Sequence, residues 1–163
     1  MTRSRAYYRS IPTAAVEMAA PQPAGGVAHG TVLAPERARE EQMARGKILV
    51  VDDSPVDRVV MSEPLRQHGY TVVTAADSNE ALAQLEREQP DLLLLDVIMP
   101  GVNGFQLCRT LRRDPRYARL PIVLVTSKNQ PADRHWGLKQ GASDYLAKPF
   151  TADQLLATVR RLV

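Results

Sequence analysis

Five short aliphatic runs constrain this chain more than any other feature: KILVVD (47–52), TVVTA (71–75), DLLLLD (91–96), PIVLVT (121–126) and the shorter DYLA (144–147). Apolar character that is continuous rather than alternating requires strands covered on both faces, as in a parallel sheet flanked by helices. Between the runs lie stretches long enough for crossover helices, at 55–68, 78–88, 104–113, 131–140 and 151–162. Ser54 is a cap for the first of these with Pro55 at its first position, Gly69 follows its end, and Pro131 suits the start of the fourth. Leu155, Leu156, Val159 and Leu162 form one apolar stripe on the last. Pro64 disagrees, because inside a helix it removes the bond to the Val60 carbonyl and predicts a kink. The pattern predicts a doubly wound α/β domain, a five-stranded parallel sheet flanked by five helices and joined by right-handed crossovers.

Residues 1–42 differ in kind. They are rich in Ala, Pro, Gly and Arg, contain no Lys and show no sustained apolar period. Such a segment has too little apolar surface to offset its ordering entropy, so a largely disordered extension is expected, with a short helix across Pro35 to Met43. The competing expectation is that translation starts at Met43, directly before ARGKILVVDD. Either way the compact domain spans 45–163.

Composition excludes several classes. The net charge is only +3 in 163 residues, with Lys and Arg scattered, which argues against a nucleic-acid surface. Cys108 is the only cysteine, so there is neither an internal disulfide nor a thiolate metal cluster, and a reduced cytoplasmic setting is expected. The run Leu92 to Leu95 stops at Asp96, far short of the roughly twenty residues that cross a membrane. No apolar segment of signal-peptide length opens the chain.

In doubly wound sheets the site lies beyond the carboxyl ends of the strands. There the sequence places Asp52 and Asp53 after the first strand, Asp96 after the third, Thr126 and Ser127 after the fourth and Lys148 after the fifth. Singly, each has an ordinary job as a cap, strand terminator, strand residue or solvated charge. Jointly they do not, because three gathered carboxylates repel one another unless a cation holds them. Hard oxygen ligands with open positions suit Mg²⁺, which prefers one or two carboxylates plus a phosphate oxygen. An aspartate beside a phosphate donor can attack phosphorus to give an acyl phosphate, with an ammonium and a hydroxyl neutralising the phosphoryl oxygens.

These residues resemble the receiver domains of two-component response regulators, of the single-domain, CheY-like chemotaxis type. VVDDSP, LLLLDVIMPGVNGF, VTS and DYLAKPF occur in that order, with 30 positions from Asp96 to Thr126 and 22 from Thr126 to Lys148. The resemblance implies a flavodoxin-like strand order of 2-1-3-4-5. It makes Asp96 the phosphoacceptor for a histidine kinase. Asp53, the Asp96 carboxylate and the Ile98 backbone carbonyl would hold Mg²⁺, with Asp52 acting mainly through a metal-bound water. Lys148 would pair with the Asp96 carboxylate or its phosphoryl group, and Lys148–Pro149 would be a cis peptide. Thr126 would bond the phosphoryl oxygen, Ser127 would leave space beside it, and Tyr145 would be the switch residue that turns inward as Thr126 moves. A downstream partner would read the face formed by the fourth helix, fifth strand and fifth helix.

A narrower resemblance lies in TSKNQPADRHWGLKQGASDYLAKPF, which is similar to the pilus-associated chemotaxis regulators of twitching motility, the PilH-like type. Trp136 in that stretch either packs on the fourth strand or is an exposed partner contact. Pro64 and the long extension depart from the family pattern, and Pro64 bears on kinase docking, to which the first helix commonly contributes. Because the chain ends at Val163 with the fifth helix, no DNA-binding domain is expected.

Other functions compete. An aspartyl phosphohydrolase needs a second carboxylate two residues after its nucleophile, where this chain has Ile98. A receiver that drains phosphate from a second regulator would use the same residues, whereas a degenerate receiver that binds its partner constitutively would lack chemical residues that are all present here. Flavin binding, suggested by fold class alone, lacks a phosphate-cradling loop after the first strand.

Overall fold

The computed structural model describes residues 45–163. The extension at 1–42 and the short helix at 35–43 lie outside the described residues. Among the described residues, five strands, β1 (Lys47–Val51), β2 (Thr71–Ala75), β3 (Leu92–Leu95), β4 (Ile122–Thr126) and β5 (Asp144–Ala147), alternate with five helices, α1 (Pro55–Gln67), α2 (Ser78–Glu88), α3 (Gly104–Arg113), α4 (Pro131–Lys139) and α5 (Ala152–Arg160). The sheet is wholly parallel with order β2-β1-β3-β4-β5. The expected elements agree to within a residue or two at each end.

Strand alternation explains the unbroken aliphatic runs. On one face, Leu49, Val51, Leu93, Leu95, Ile122 and Leu124 pack with Ala81 and Leu85 of α2 and Leu107 and Leu111 of α3. On the other, Ile48, Val50, Leu92, Leu94, Val123 and Val125 pack with Met61 and Leu65 of α1 and Leu155, Leu156 and Val159 of α5. Successive residues therefore enter different cores, and every residue of β3 is fully buried. Each such side chain contributes about 1.5–3 kcal/mol relative to leaving it in water.

Local signals fix where the helices begin. Ser54 accepts the Asp57 N–H at 3.2 Å, with Pro55 at the first helical position of α1. Asn103 and Gln106 form a reciprocal capping box on α3, and Thr151 and Gln154 do the same on α5. α1 runs without a break from Pro55 to Gln67, and Pro64 lies in its last turn. The Pro64 carbonyl accepts from both the His68 N–H and the His68 ring, at 3.2 and 2.7 Å.

Between α4 and the sheet, the contact is made by Gly137. A Cβ built there would lie 2.7 Å from Leu124 Cδ1 and 3.1 Å from the Tyr145 ring, so the absent side chain sets how closely the helix approaches. Trp136 is 52% exposed, which decides against its packing on the fourth strand.

Candidate functional site

Continuation of the strand ladders beyond the regular strands gathers the polar residues at one edge. The Asp52 N–H donates to Ala75 O at 3.1 Å, the Asp96 N–H to Val51 O at 2.9 Å and the Lys148 N–H to Thr126 O at 2.9 Å. Backbone pairing thus places Asp52, Asp96, Thr126 and Lys148 in neighbouring rows before any side-chain interaction is considered.

Asp52, Asp53 and Asp96 each present a carboxylate oxygen within 4.8 Å of the others. Asp52 and Asp96 are buried, whereas Asp53 is exposed. Both oxygens of Asp52 are engaged: Oδ1 accepts the Ser54 N–H at 2.9 Å and Oδ2 accepts Lys148 Nζ at 2.6 Å. On Asp96, Oδ1 accepts the Val97 N–H at 2.8 Å. The Asp53 carboxylate has no hydrogen bond among the described residues. Three carboxylates of this kind, facing one another and incompletely neutralised, fit a hard divalent cation. Asp53 and Asp96 each have an oxygen without a hydrogen bond to give directly, whereas both Asp52 oxygens already accept one, which suits action at one water's remove.

Burial holds the Asp96 carboxyl above the usual aspartate range; the field of Lys148 opposes this, that of Asp52 adds to it, and hydrogen bonds from the Ile98 N–H and Thr126 hydroxyl oppose it again. A raised folded-state pKa means that the native state holds its proton longer than the unfolded chain. Asp96 therefore withdraws stability as pH climbs from the ordinary aspartate value through the raised one. Without divalent cations, Asp96→Asn is expected to be more stable than the parent at neutral pH, and the gap should open across that window and then stay level. Urea midpoints measured from acid to neutral pH check this; a gap that shrinks as pH rises would contradict it.

Lys148 is a difference from expectation. Its ammonium bonds Asp52 at 2.6 Å and Asp57 at 2.8 Å rather than Asp96, which acts on it only through space. Burial pulls the lysine pKa down, but these bonds and the field of Asp96 outweigh it and the net direction is upward. Asp57, in the first turn of α1, escaped the sequence because an acid there is what the helix dipole favours anyway. Arg58 escaped too; its guanidinium reaches the Asp52 carbonyl at 2.5 Å. Lys148–Pro149 is cis.

Thr126 is fully buried, and its Oγ1 accepts the Lys128 N–H at 3.3 Å, while Ser127 next to it is exposed. Tyr145 is only 8% exposed, with its ring against Gly137 and its hydroxyl donating to the Lys128 carbonyl at 2.6 Å. Burial, reinforced by the charges of Asp133 and Asp96, pushes the Tyr145 pKa up to about 12. The ring expected to swing is thus already inside. Ile98 is half exposed at the rim.

Residues 48–160 match the model of the response regulator receiver domain. Protein PilH of Pseudomonas aeruginosa is 40% identical over 117 residues, which cover 72% of this chain and 97% of that protein. Response regulator PleD of Caulobacter vibrioides is 45% identical over 116 residues, 71% of this chain but 26% of PleD. The chain likewise spans 48% of the DNA-binding dual master transcriptional regulator RpaA of Synechocystis, at 41% identity. Among solved structures, the chemotaxis protein CheY4 of Vibrio cholerae superposes with a TM-score of 0.68 at 38% identity, covering 72% of this chain and 98% of CheY4. A putative response regulator from Chloroflexus aurantiacus gives 0.69 at 37%, covering 72% and 96%.

Proposed function

This chain belongs to the response regulator receiver domain family, and from that premise we propose that it is a PilH-like receiver whose Asp96 takes a phosphoryl group from a histidine kinase. One observation carries the reading: the Asp52, Asp53 and Asp96 carboxylates converge within 4.8 Å beside the Lys148 ammonium. In the transfer, an Asp96 carboxylate oxygen attacks phosphorus, the phosphorus–nitrogen bond of the phosphohistidine breaks, and the imidazole leaves with the bonding pair and takes up a proton. Bound Mg²⁺ would neutralise phosphoryl oxygens; Asp53, Asp96 and the Ile98 carbonyl are the groups to hold it, with Asp52 through water. Lys148 supplies positive charge and Thr126 a hydroxyl for the phosphoryl oxygens. Tyr145, whose hydroxyl already bonds the loop that follows Thr126, would then transmit the change to α4, β5 and α5, the face a downstream protein reads.

For the kinase, the supporting surface is α1. Val56, Val59 and Val60 are exposed there, beside a cavity of about 310 Å³ lined by Asp57, Val60, Ser127, Lys148, Pro149 and Phe150. Exposed apolar side chains next to reacting groups suit docking of a partner that must deliver its phosphoryl group there. Identity of 40% over nearly all of PilH favours a role in pilus-based motility or chemotaxis. A cytoplasmic location agrees with that role; among the described residues no helix is long and apolar enough to cross a membrane.

Incubation with acetyl phosphate or phosphoramidate and Mg²⁺ should add one phosphoryl group, and peptide mass spectrometry after borohydride trapping should place it on Asp96. Chelation of Mg²⁺ should abolish the product, and so should Asp96→Asn. Labelling of another residue, or undiminished labelling of Asp96→Asn, would refute the assignment.

A further inference from the structure

The carboxylate of Asp57 belongs to no part of the triad, yet it holds the Lys148 ammonium. Lys148 Nζ lies 2.8 Å from Asp57 Oδ2 and 2.6 Å from Asp52 Oδ2, with the lysine side chain mostly buried and Asp57 partly open to solvent. Asp57 is rigidly placed, because its own N–H is bonded to Ser54 Oγ, which fixes the first turn of α1 directly after Asp52 and Asp53. The structure therefore sets a fourth carboxylate beside the triad, and it bonds the lysine from the α1 side.

We propose that Asp57 is a positioning residue that keeps the Lys148 ammonium on the α1 side of the site until a phosphoryl oxygen on Asp96 displaces it. Resting on the phosphoacceptor reading above, this makes exchange of one anion for another the event that commits the lysine. Asp52 is the pivot, since it bonds Nζ through a buried oxygen whose carboxylate is anchored by Ser54. Asp57 is the exchangeable partner, because its carboxylate is the more hydrated of the two and the less costly to release into water. Exposed α1 valines flank Asp57, so a docked partner covering them would meet this ion pair directly.

The test compares Asp57→Asn, Asp57→Glu and the parent, each with native Lys148 and with Lys148→Ala, after equal far-ultraviolet spectra confirm the fold. Labelling of Asp96 by phosphoramidate with Mg²⁺ and equilibrium binding of beryllofluoride, a phosphoryl mimic, are measured for all six proteins. With Lys148 present, Asp57→Asn should accelerate labelling and tighten beryllofluoride binding by about 3- to 10-fold, the scale of one released charge pair in a partly buried site. Asp57→Glu should restore parental behaviour, and in the Lys148→Ala background Asp57→Asn should change neither quantity. Equal gains in both backgrounds would mean a plain charge effect, and a loss with Lys148 present would mean that Asp57 assists the lysine; either overturns the proposal. Absence of Asp96 labelling in the parent would instead refute the phosphoacceptor reading itself, so the two failures are distinguishable.

Discussion

Asp53→Ala is expected to reduce Mg²⁺-dependent labelling of Asp96 by about 100-fold or more, which corresponds to roughly 3 kcal/mol of lost transition-state stabilisation. Its fold should survive. Asp53 is exposed and carries no hydrogen bond among the described residues, and removing it relieves repulsion with Asp52 and Asp96, so stability should stay within about 0.5 kcal/mol of the parent or rise. Asp52→Ala would not be so clean, because Asp52 is buried, accepts the Ser54 N–H and anchors Lys148. That contrast makes Asp53 the informative position. Titration calorimetry with Mg²⁺ should show weakened binding in parallel with slow phosphoramidate labelling, while the urea midpoint is unmoved. Parental Mg²⁺ affinity in Asp53→Ala would remove Asp53 from the cation site.

What the chain declares about itself follows from which interactions are backbone interactions. The runs at 47–52, 91–96 and 121–126 announce their strands because two cores, one on each face, demand apolar residues at consecutive positions. Once those strands pair in parallel, the ladder itself carries Asp52, Asp96, Thr126 and Lys148 to one edge, so their meeting was legible without coordinates.

Partner choice among side chains was not legible. Nothing in the spacing of Asp57 says that it, rather than Asp96, bonds Lys148, because its position is equally explained by the positive end of α1. Trp136 and Gly137 show a second reason. Adjacent residues on a helix point about 100° apart, so only the phase of α4 decides which one meets β4, and the glycine does. Tyr145 shows a third: residue type names a switch candidate, but the direction of its ring depends on the room that Gly137 leaves.

Gly104→Ala should be the most damaging small substitution in the domain. Gly104 opens α3, where alanine would ordinarily improve helix stability by about 0.5–1 kcal/mol. Here a Cβ would stand 2.1 Å from the Asp96 backbone oxygen and under 3.0 Å from Val97 Cα and the Asp96 carbonyl carbon. All three are backbone atoms. They cannot rotate away, and they belong to the segment that presents the Asp96 carboxylate and the Val97 N–H that bonds it. The Gly104 N–H also bonds the Val97 carbonyl at 3.0 Å, so the helix start and the strand end are tied together and neither can retreat alone. We therefore expect a net loss of about 3 kcal/mol or more in urea unfolding, at the upper end of overpacking costs, with labelling of Asp96 impaired even where the protein remains folded. Gly101, in the loop that leads into α3, is the control. Its φ is +77° but a Cβ there meets nothing within 4 Å, so Gly101→Ala should cost only the backbone strain, about 1 kcal/mol, and leave labelling nearly unchanged. If the two substitutions proved equally mild, the close approach of α3 to the Asp96 backbone would not be what holds the phosphoacceptor in place.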